Sequence, residues 1–303
     1  MQEINIAIII PYFKKTFFNK TLLSLKNQTD TRFNVYIGDD CSPENPKDLI
    51  EAYRSSLNIK YFRFLENVGS KSLVKQWERC IKLTNKENWL LILGDDDSLD
   101  INVISSFYKN YSEFFKETNV IRFATQKIDA KGRRISEIYN YPVWQDSKKI
   151  LFNNKRSSLS EYIFKKDVVK TIKFRDFPLA WFSDILGVLE FSDFSKIYSI
   201  NDSVVSIRYS SENISSRNDH SSNLLKLQST FLFYDYILRN KKKHFSSSEI
   251  NIILKRISKT YINDKIKLGR FFRISFHFIY FSHFGAYGAF LKNISTSLIL
   301  RAK

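Results

Sequence analysis

The chain has 303 residues, 43% of them hydrophobic and 26% charged, with a formal net charge of +17. That balance describes a globular protein able to bury a sizeable core, and it excludes a disordered chain or a disulfide-stapled miniature. Two cysteines without metal-ligand spacing, Cys41 and Cys80, point to free thiols in a reducing compartment.

The charge is unevenly placed. Residues 221–303 hold 15 Lys/Arg against 3 Asp/Glu, whereas residues 1–220 hold 33 against 28. The C-terminal part therefore suits an anionic partner, either a membrane surface or a nucleic acid. The opening Met1-Gln-Glu-Ile-Asn has neither the basic nor the apolar region of a signal peptide, which predicts a cytoplasmic protein.

In chain order, residues 4–10 are a β-branched run stopped by Pro11, a buried first strand. Residues 17–27 carry apolar positions at helical spacing. Residues 33–37 read as a second strand, 48–56 as a helix and 59–64 as a third strand. A turn at 66–70 leads into a helix over 73–83. Residues 89–93, Trp-Leu-Leu-Ile-Leu, form a fourth strand too short and too abruptly ended for a helix. Strands alternating with helices predict an α/β fold with a mostly parallel central sheet flanked by helices.

Further along, 103–115 reads as one helix, 120–127 as a strand, and the polar stretch 129–160 as a flap with a turn at Lys131-Gly132. A short helix is expected over 160–173, another over 185–191, and a strand pair over 197–209. The serine-rich segment 210–222 reads as a mobile loop. Amphipathic helices follow at 224–238 and 248–262. The end crowds seven phenylalanines between Phe271 and Phe290. Residues 274–291 contain no Lys or Arg, the lower edge of a spanning length, but hold two histidines, two serines and two glycines. An aromatic, basic helix lying in a membrane interface fits this segment better, with a helix packed on the preceding domain as the alternative. The expected division is an α/β part over 1–220, split near residue 100, and a helical region over 221–303.

Chemistry concentrates where the strands end. Gly94 allows a turn, and Asp95, Asp96 and Asp97 then stand together at the mouth of the fourth strand. Three adjacent carboxylates repel one another, and a divalent metal shared with substrate phosphates relieves that repulsion. The plainer alternative is an acidic loop capping the next helix. Pro11-Tyr12 follows the first strand and Asp39-Asp40 the second, so parallel pairing brings all three loops to one edge. There Tyr12 can offer an aromatic face to a base, and an Asp can accept from a base N–H. Asn67 and Gly69 allow a close backbone approach to a ligand. Plain turns are the alternative for each.

Taken in order, Ile-Ile-Ile-Pro-Tyr-Phe (8–13), Gly-Asp-Asp-Cys-Ser (38–42), Glu-Asn-Val-Gly (66–69) and Leu-Gly-Asp-Asp-Asp (93–97) resemble the family 2 glycosyltransferases. The resemblance covers residues 4–100 strongly and extends to about 210. It implies an inverting enzyme with a GT-A-like fold, nucleotide-binding over 1–100 and acceptor side over 101–220, to which the helical pattern from Leu224 onward adds a C-terminal extension. Pro11, Tyr12 and Asp39, with Asp40 adjacent, are implied at the nucleobase, and Asn67 and Gly69 near the nucleotide. Asp95, Asp96 and Asp97 are implied at the ribose and at a Mn²⁺ or Mg²⁺ bound by the diphosphate. Gly94 stands where many members carry the first Asp, so the division of roles among the three stays open. Trp181-Phe182-Ser183-Asp184 resembles the general-base site at a helix start, implying Asp184 as the base, with a helix N-cap as the alternative. Some members close the site with a C-terminal loop bearing a metal-binding His, and His220 stands in the serine-rich loop, where a solvated side chain is the alternative.

The implied reaction moves a sugar from a nucleotide-diphosphate sugar donor to a hydroxyl of a glycan or lipid-linked acceptor. Capsule, lipopolysaccharide or other surface polysaccharide synthesis is the expected setting. The enzyme is then expected at the inner face of the cell membrane, held to an anionic surface through residues 267–303, with no nucleic acid partner. A nucleotidyltransferase is the rival enzyme, but no glycine-rich phosphate loop follows Ile10. A nucleic-acid binder is the rival of another class, and acidic loops at one edge would repel its phosphates.

Overall fold

The computed structural model describes residues 5–152, 158–210, 219–263 and 268–299. The first apolar run becomes β1 (Ile6–Tyr12), followed by α1 (Phe18–Lys26), β2 (Phe33–Asp39), α2 (Lys47–Glu51), β3 (Ile59–Arg63), α3 (Leu73–Ile81) and β4 (Trp89–Ile92). Then come β5 (Ser98–Leu99), α4 (Val103–Lys109), α5 (Tyr111–Phe114), β6 (Val120–Ile128), β7 (Trp144–Asp146) and α6 (Lys148–Phe152). They are followed by β8 (Tyr162–Lys165), α7 (Lys166–Ile172), α8 (Ser183–Phe191) and β9 (Lys196–Arg208). Four helices end the chain: α9 (His220–Asn240), α10 (Ser247–Asn263), α11 (Leu268–Tyr280) and α12 (Phe284–Ile299).

The strands make one nine-stranded sheet in the order β3-β2-β1-β4-β8-β6-β9-β5, with β7 paired to β9. β1 lies between β2 and β4, Ile8 facing Val35 on one side and Leu91 on the other. These pairings and β2–β3 are all parallel, so the carboxyl ends of four strands share an edge. Residues 6–10 are wholly buried, because helices cover both sheet faces and a continuous apolar run is what such a strand needs. Trp89 anchors one face, its ring 5.5 Å from Phe107 and 5.7 Å from Phe114. The expected α/β architecture, a central sheet flanked by helices with a helical C-terminal region, is the one found.

Three local expectations change. The helix expected over 160–173 is instead a 3₁₀ turn (Leu159–Glu161), β8 and α7. Tyr162, Ile163 and Phe164 fill the gap between β4 and β6 as an antiparallel strand, and this burial overrides local helix propensity. It is also where the parallel sheet becomes mixed. The helix over 103–115 divides at Asn110, which closes α4 and opens α5. The strand pair over 197–209 is the single strand β9, whose pairing with β6 jumps from Ile200 to Val204. Residues 201–203 bulge out there, and their polar character is what reads as a turn.

The chain divides into two compact units: Met1–Asp176 with Ser183–Ser216, and Phe177–Phe182 with Arg217–Lys303. In the second unit α9 buries Phe231, Phe233, Tyr234, Ile237 and Leu238. The Phe233 ring stacks on Phe182 at 4.6 Å, and Ser229 donates to the Pro178 carbonyl. The aromatic tail is broken between α11 and α12, where Ser282 takes a φ of 58°. Among the described residues no helix is long and apolar enough to cross a membrane. Most of the serine-rich loop expected over 210–222, residues 211–218, lies outside the described residues.

Candidate active site

The acidic loops are sewn to their neighbours by their own carboxylates. After β4, Asp95 Oδ2 accepts from the backbone N–H groups of Phe13 (2.8 Å) and Lys14 (2.9 Å), fastening the loop after β1. Asp97, 5% exposed, accepts from the Ser160 hydroxyl at 2.6 Å and from the Arg208 N–H at 2.9 Å. The same Ser160 hydroxyl accepts from the Gly94 N–H at 3.0 Å. Thr21 donates to the Asp95 and Asp97 carbonyls. Burial first, then the neighbouring Asp96 charge, pushes the Asp95 and Asp97 carboxyls up to about 7, against the donors that hold them.

Gly94 has a geometric reason. A Cβ there would lie 2.9 Å from Asp96 Oδ1 and 3.1 Å from Asp97 Oδ2, so both carboxylates converge on the space above the glycine. An aspartate at this position would crowd that space. Asp96 is half-buried, and its carbonyl accepts from Arg208 Nε at 2.8 Å.

At the end of β2, Asp39 is wholly buried. Its Oδ1 accepts from the Ser42 N–H (2.7 Å), and its Oδ2 from the Tyr61 hydroxyl (2.6 Å) and Arg63 (2.8 Å). Asp40 turns the other way. Its Oδ1 accepts from the Val68 N–H at 2.8 Å and from Arg79, and its Oδ2 from the Gly69 N–H at 2.8 Å. Burial raises the Asp40 pKa in spite of these donors. Asn67 holds its own turn by accepting from the Ser70 N–H at 2.9 Å. Gly69 admits the Asp40 carboxylate to its backbone.

Tyr12 corrects an expectation. Its ring has no exposed face: it lies 4.7 Å from Phe18, and its hydroxyl donates to the Glu44 carbonyl at 2.8 Å. The strand's inward alternation carries this residue into the core, so it braces the loop and presents no platform to a base. Pro11 beside it is half-exposed. Between the loops after β2 and β3 lies a cavity of about 290 Å³ lined by Ser42, Pro43, Asn45, Lys47 and Arg63.

On the acceptor side, Asp184 is buried in the first turn of α8. The chain enters that helix through Leu179, Ala180 and Phe182, all at positive φ. Such strained backbone is sustained only where its surroundings over-determine it. Glu161, also buried, has its carboxyl raised to about 8 by burial, opposed by Arg122 and the Ser158 N–H and reinforced by the Asp184 charge. Arg122 donates to Gln145 (2.8 Å) and Ser199 (3.1 Å) and lies 3.5 Å from the Tyr141 ring centroid. His220 is the exposed first residue of α9, directly after the Asp219 cap and not within a loop. Among the described residues no three His, Cys, Asp or Glu side chains form a metal cage by themselves.

Residues 7–172, more than half the chain, match the family described as glycosyl transferase family 2. The chain belongs to that family. Its chemistry is therefore glycosyl transfer. Comparison with curated protein sequences gives no match. Among solved structures, this family 2 glycosyltransferase is similar to S. aureus TarS 1–349 in complex with UDP-GlcNAc, at 18% identity and a TM-score of 0.63, covering 96% of this chain and 82% of that one. The same S. aureus protein with UDP aligns at 15% identity and a TM-score of 0.56, over 97% and 90% of the two chains. GalNAc-T7 with UDP, GalNAc and Mn²⁺ aligns at 10% identity and a TM-score of 0.56, over 87% and 56%. At these identities the likeness is one of fold.

Sequence reasoning about this glycosyltransferase misses Thr21, Arg79, Arg122, Ser160, Glu161 and Arg208. None stands in a motif. Arg208 reaches Asp97 only because β9 pairs beside β5, and Ser160 only because β8 enters the sheet next to β4.

Proposed function

We propose that this glycosyltransferase moves a sugar from a nucleotide-diphosphate sugar to a hydroxyl of a glycan or lipid-linked acceptor with inversion, in capsule, lipopolysaccharide or other surface polysaccharide synthesis. The observation that carries the reading is the 95–97 carboxylate cluster at the shared edge of four parallel strands, tied to the loop after β1. The UDP and UDP-GlcNAc held by the similar folds support a uridine diphosphate donor. Residues 1–220 are taken as the catalytic part, with the nucleotide on 1–100.

The residues fit a Mn²⁺ or Mg²⁺ shared with the diphosphate. Such ions take one or two carboxylates and complete their shell with phosphates, so no all-protein cage is needed. Carboxyls raised to about 7 by burial and mutual repulsion are suited to a cation. When bound, the ion supplies Lewis-acid stabilisation of the departing diphosphate. Asp96 and Asp97 above Gly94 are the favoured protein ligands, with Asp95 holding the adjoining loop. His220 is the candidate imidazole ligand from the C-terminal part. Lys47 and Arg63 give the cavity beside Asp39 a positive wall for the nucleotide. Pro11, Tyr12, Asp39, Asp40, Asn67 and Gly69 set the shape of the loops it meets. Asp184 removes the proton of the acceptor hydroxyl as the donor bond breaks, which is general-base work. Residues 267–303 carry the enzyme to an anionic membrane face, the inner surface of the cell membrane, where a lipid-linked acceptor is at hand.

Thermal stabilisation by a panel of nucleotide sugars, with and without Mn²⁺, tests this reading. A donor at about 100 times its Kd adds roughly 2.7 kcal/mol. Mn²⁺-enhanced stabilisation by one donor, lost in Asp96→Asn, is expected. No response to any nucleotide sugar overturns the proposal.

A further inference from the structure

The helix α11 is turned the wrong way round for an ordinary surface helix. Its inner side carries Arg270, Ser275 and His277 beside Ile274 and Phe278, all nearly inaccessible. Its outer side carries Leu268, Phe272, Phe276, Ile279 and Tyr280, each more than half exposed, and Phe284 continues the row at the start of α12. The spacing of 268, 272, 276 and 279/280 places these side chains on one helix face. An outward apolar row of this length on a monomer marks an interaction surface.

The orientation is held from below. Asp235 of α9 accepts from His277 Nε2 at 2.8 Å and from Arg273 Nη1 at 3.1 Å, and Arg239 approaches it at 3.8 Å. Arg270 lies over the Phe231 ring at 5.5 Å. Anchored on the buried Asp235–His277 contact, α11 has no rotation that would bring its aromatic row inward without leaving the Asp235 carboxylate short of its partners.

We propose that the outer face of α11, with Phe284, docks on an anionic lipid bilayer, the helix lying in the interface and not across it. This rests on the reading of residues 267–303 as the membrane-facing part and specifies the face that inserts. The charge argues for lipid over a second copy of the chain: from Lys265 to Lys303 there are seven Lys/Arg and no Asp or Glu. Two such segments brought together would gather positive charge with no carboxylate of their own to offset it, whereas an anionic leaflet complements it. Lys242 borders the row, its Nζ 4.5 Å from the Tyr280 ring centroid and donating to the Tyr280 hydroxyl. A tyrosine and a lysine side by side suit the boundary between headgroups and acyl chains. With 13 residues α11 is about 20 Å long, short of the roughly 30 Å hydrocarbon core, so it lies flat.

The test uses the full chain with vesicles of phosphatidylcholine alone or mixed with phosphatidylglycerol. Binding is expected on the mixed vesicles only. The double variant Phe272→Asp with Phe276→Asp loses it by about tenfold or more, since each buried phenylalanine contributes strongly to insertion. Ile172→Asp, changing an exposed apolar residue of α7, retains binding. Circular dichroism and the melting temperature of both variants check that neither is misfolded. Equal sedimentation of wild type and double variant overturns the proposal. So does a wild-type oligomer that the double variant dissolves while vesicles bind neither, and so does capture by RNA in place of vesicles. Donor hydrolysis, measured on the same preparations, is expected to be unchanged in the double variant. Absence of hydrolysis in the wild type would sink the transfer reading alone, because vesicle binding is scored without it.

Discussion

Asp40 and Gly69 are joined so closely that a side chain at residue 69 would displace the carboxylate: Asp40 Oδ2 accepts from the Gly69 N–H at 2.8 Å, and a Cβ on residue 69 would stand 2.3 Å from that oxygen. Gly69→Ala must therefore push the carboxylate away from two N–H groups while Arg79 still holds it. Overpacking of this kind costs about 1–3 kcal/mol. The expected result is a lower urea midpoint together with weaker donor binding. An unchanged midpoint would show that the 66–69 loop yields freely and that Asp40 does not shape it.

The three carboxylates of the 95–97 cluster should separate by role when each is changed to Asn. Asp97 is locked to Ser160 and to the Arg208 N–H, so Asp97→Asn should lower stability by about 1–3 kcal/mol as well as activity. Asp95→Asn should loosen the loop after β1 and weaken donor binding with and without Mn²⁺. Asp96→Asn should keep the melting temperature and lose the Mn²⁺ enhancement of donor binding. Calorimetry of donor binding at two Mn²⁺ levels, together with a melting curve of each variant, reads all three. Full Mn²⁺ enhancement in Asp96→Asn would move the metal role elsewhere.

Much of this edge is readable from the chain alone, and for a physical reason. Runs such as 6–10 and 89–92 are apolar without alternation, which only a doubly covered parallel strand tolerates, and parallel strands bring successive loops to one end. What cannot be read is where each side chain points once the strand stops. Tyr12 looks like a ligand contact in the sequence and is turned inward with its hydroxyl on Glu44, while Asp39 engages both carboxylate oxygens with Ser42, Tyr61 and Arg63. Ser160 and Arg208 reach the acidic loop across 63 and 111 residues of sequence, and no local pattern announces a pairing of that range. The polar bulge at 201–203 hides the continuity of β9 in the same way.

Asp184 offers a kinetic separation. If it takes the acceptor proton, Asp184→Asn should lower kcat by about 10²-fold or more, because the loss falls on the transition state. The donor Kd, measured by titration without acceptor, should stay within about twofold, as expected of a residue that does not bind the nucleotide. Its burial in the first turn of α8 allows a different outcome, loss of the helix start. A variant that melts early and loses donor binding would assign the residue to the fold.

Glu161 gives a pH signature that needs no substrate. Its carboxyl is raised from 4.5 to about 8, chiefly by burial, with Arg122 opposing and the Asp184 charge adding. A carboxyl that holds its proton more tightly in the folded state makes the native form bind more protons than the unfolded one across that interval. Stability then falls as pH rises from about 4.5 to about 8 and levels off above, because ionising the group in place is costly. Glu161→Gln removes the ionisation while preserving shape, so it should flatten this part of the profile and be more stable than wild type by a few kcal/mol at the alkaline end. Asp95 and Asp97 also carry raised pKa values and remain in both proteins, so the difference between the two urea profiles isolates Glu161. Parallel profiles, with no widening gap between mildly acidic and alkaline pH, would mean that Arg122 keeps the Glu161 carboxylate ionised inside the fold.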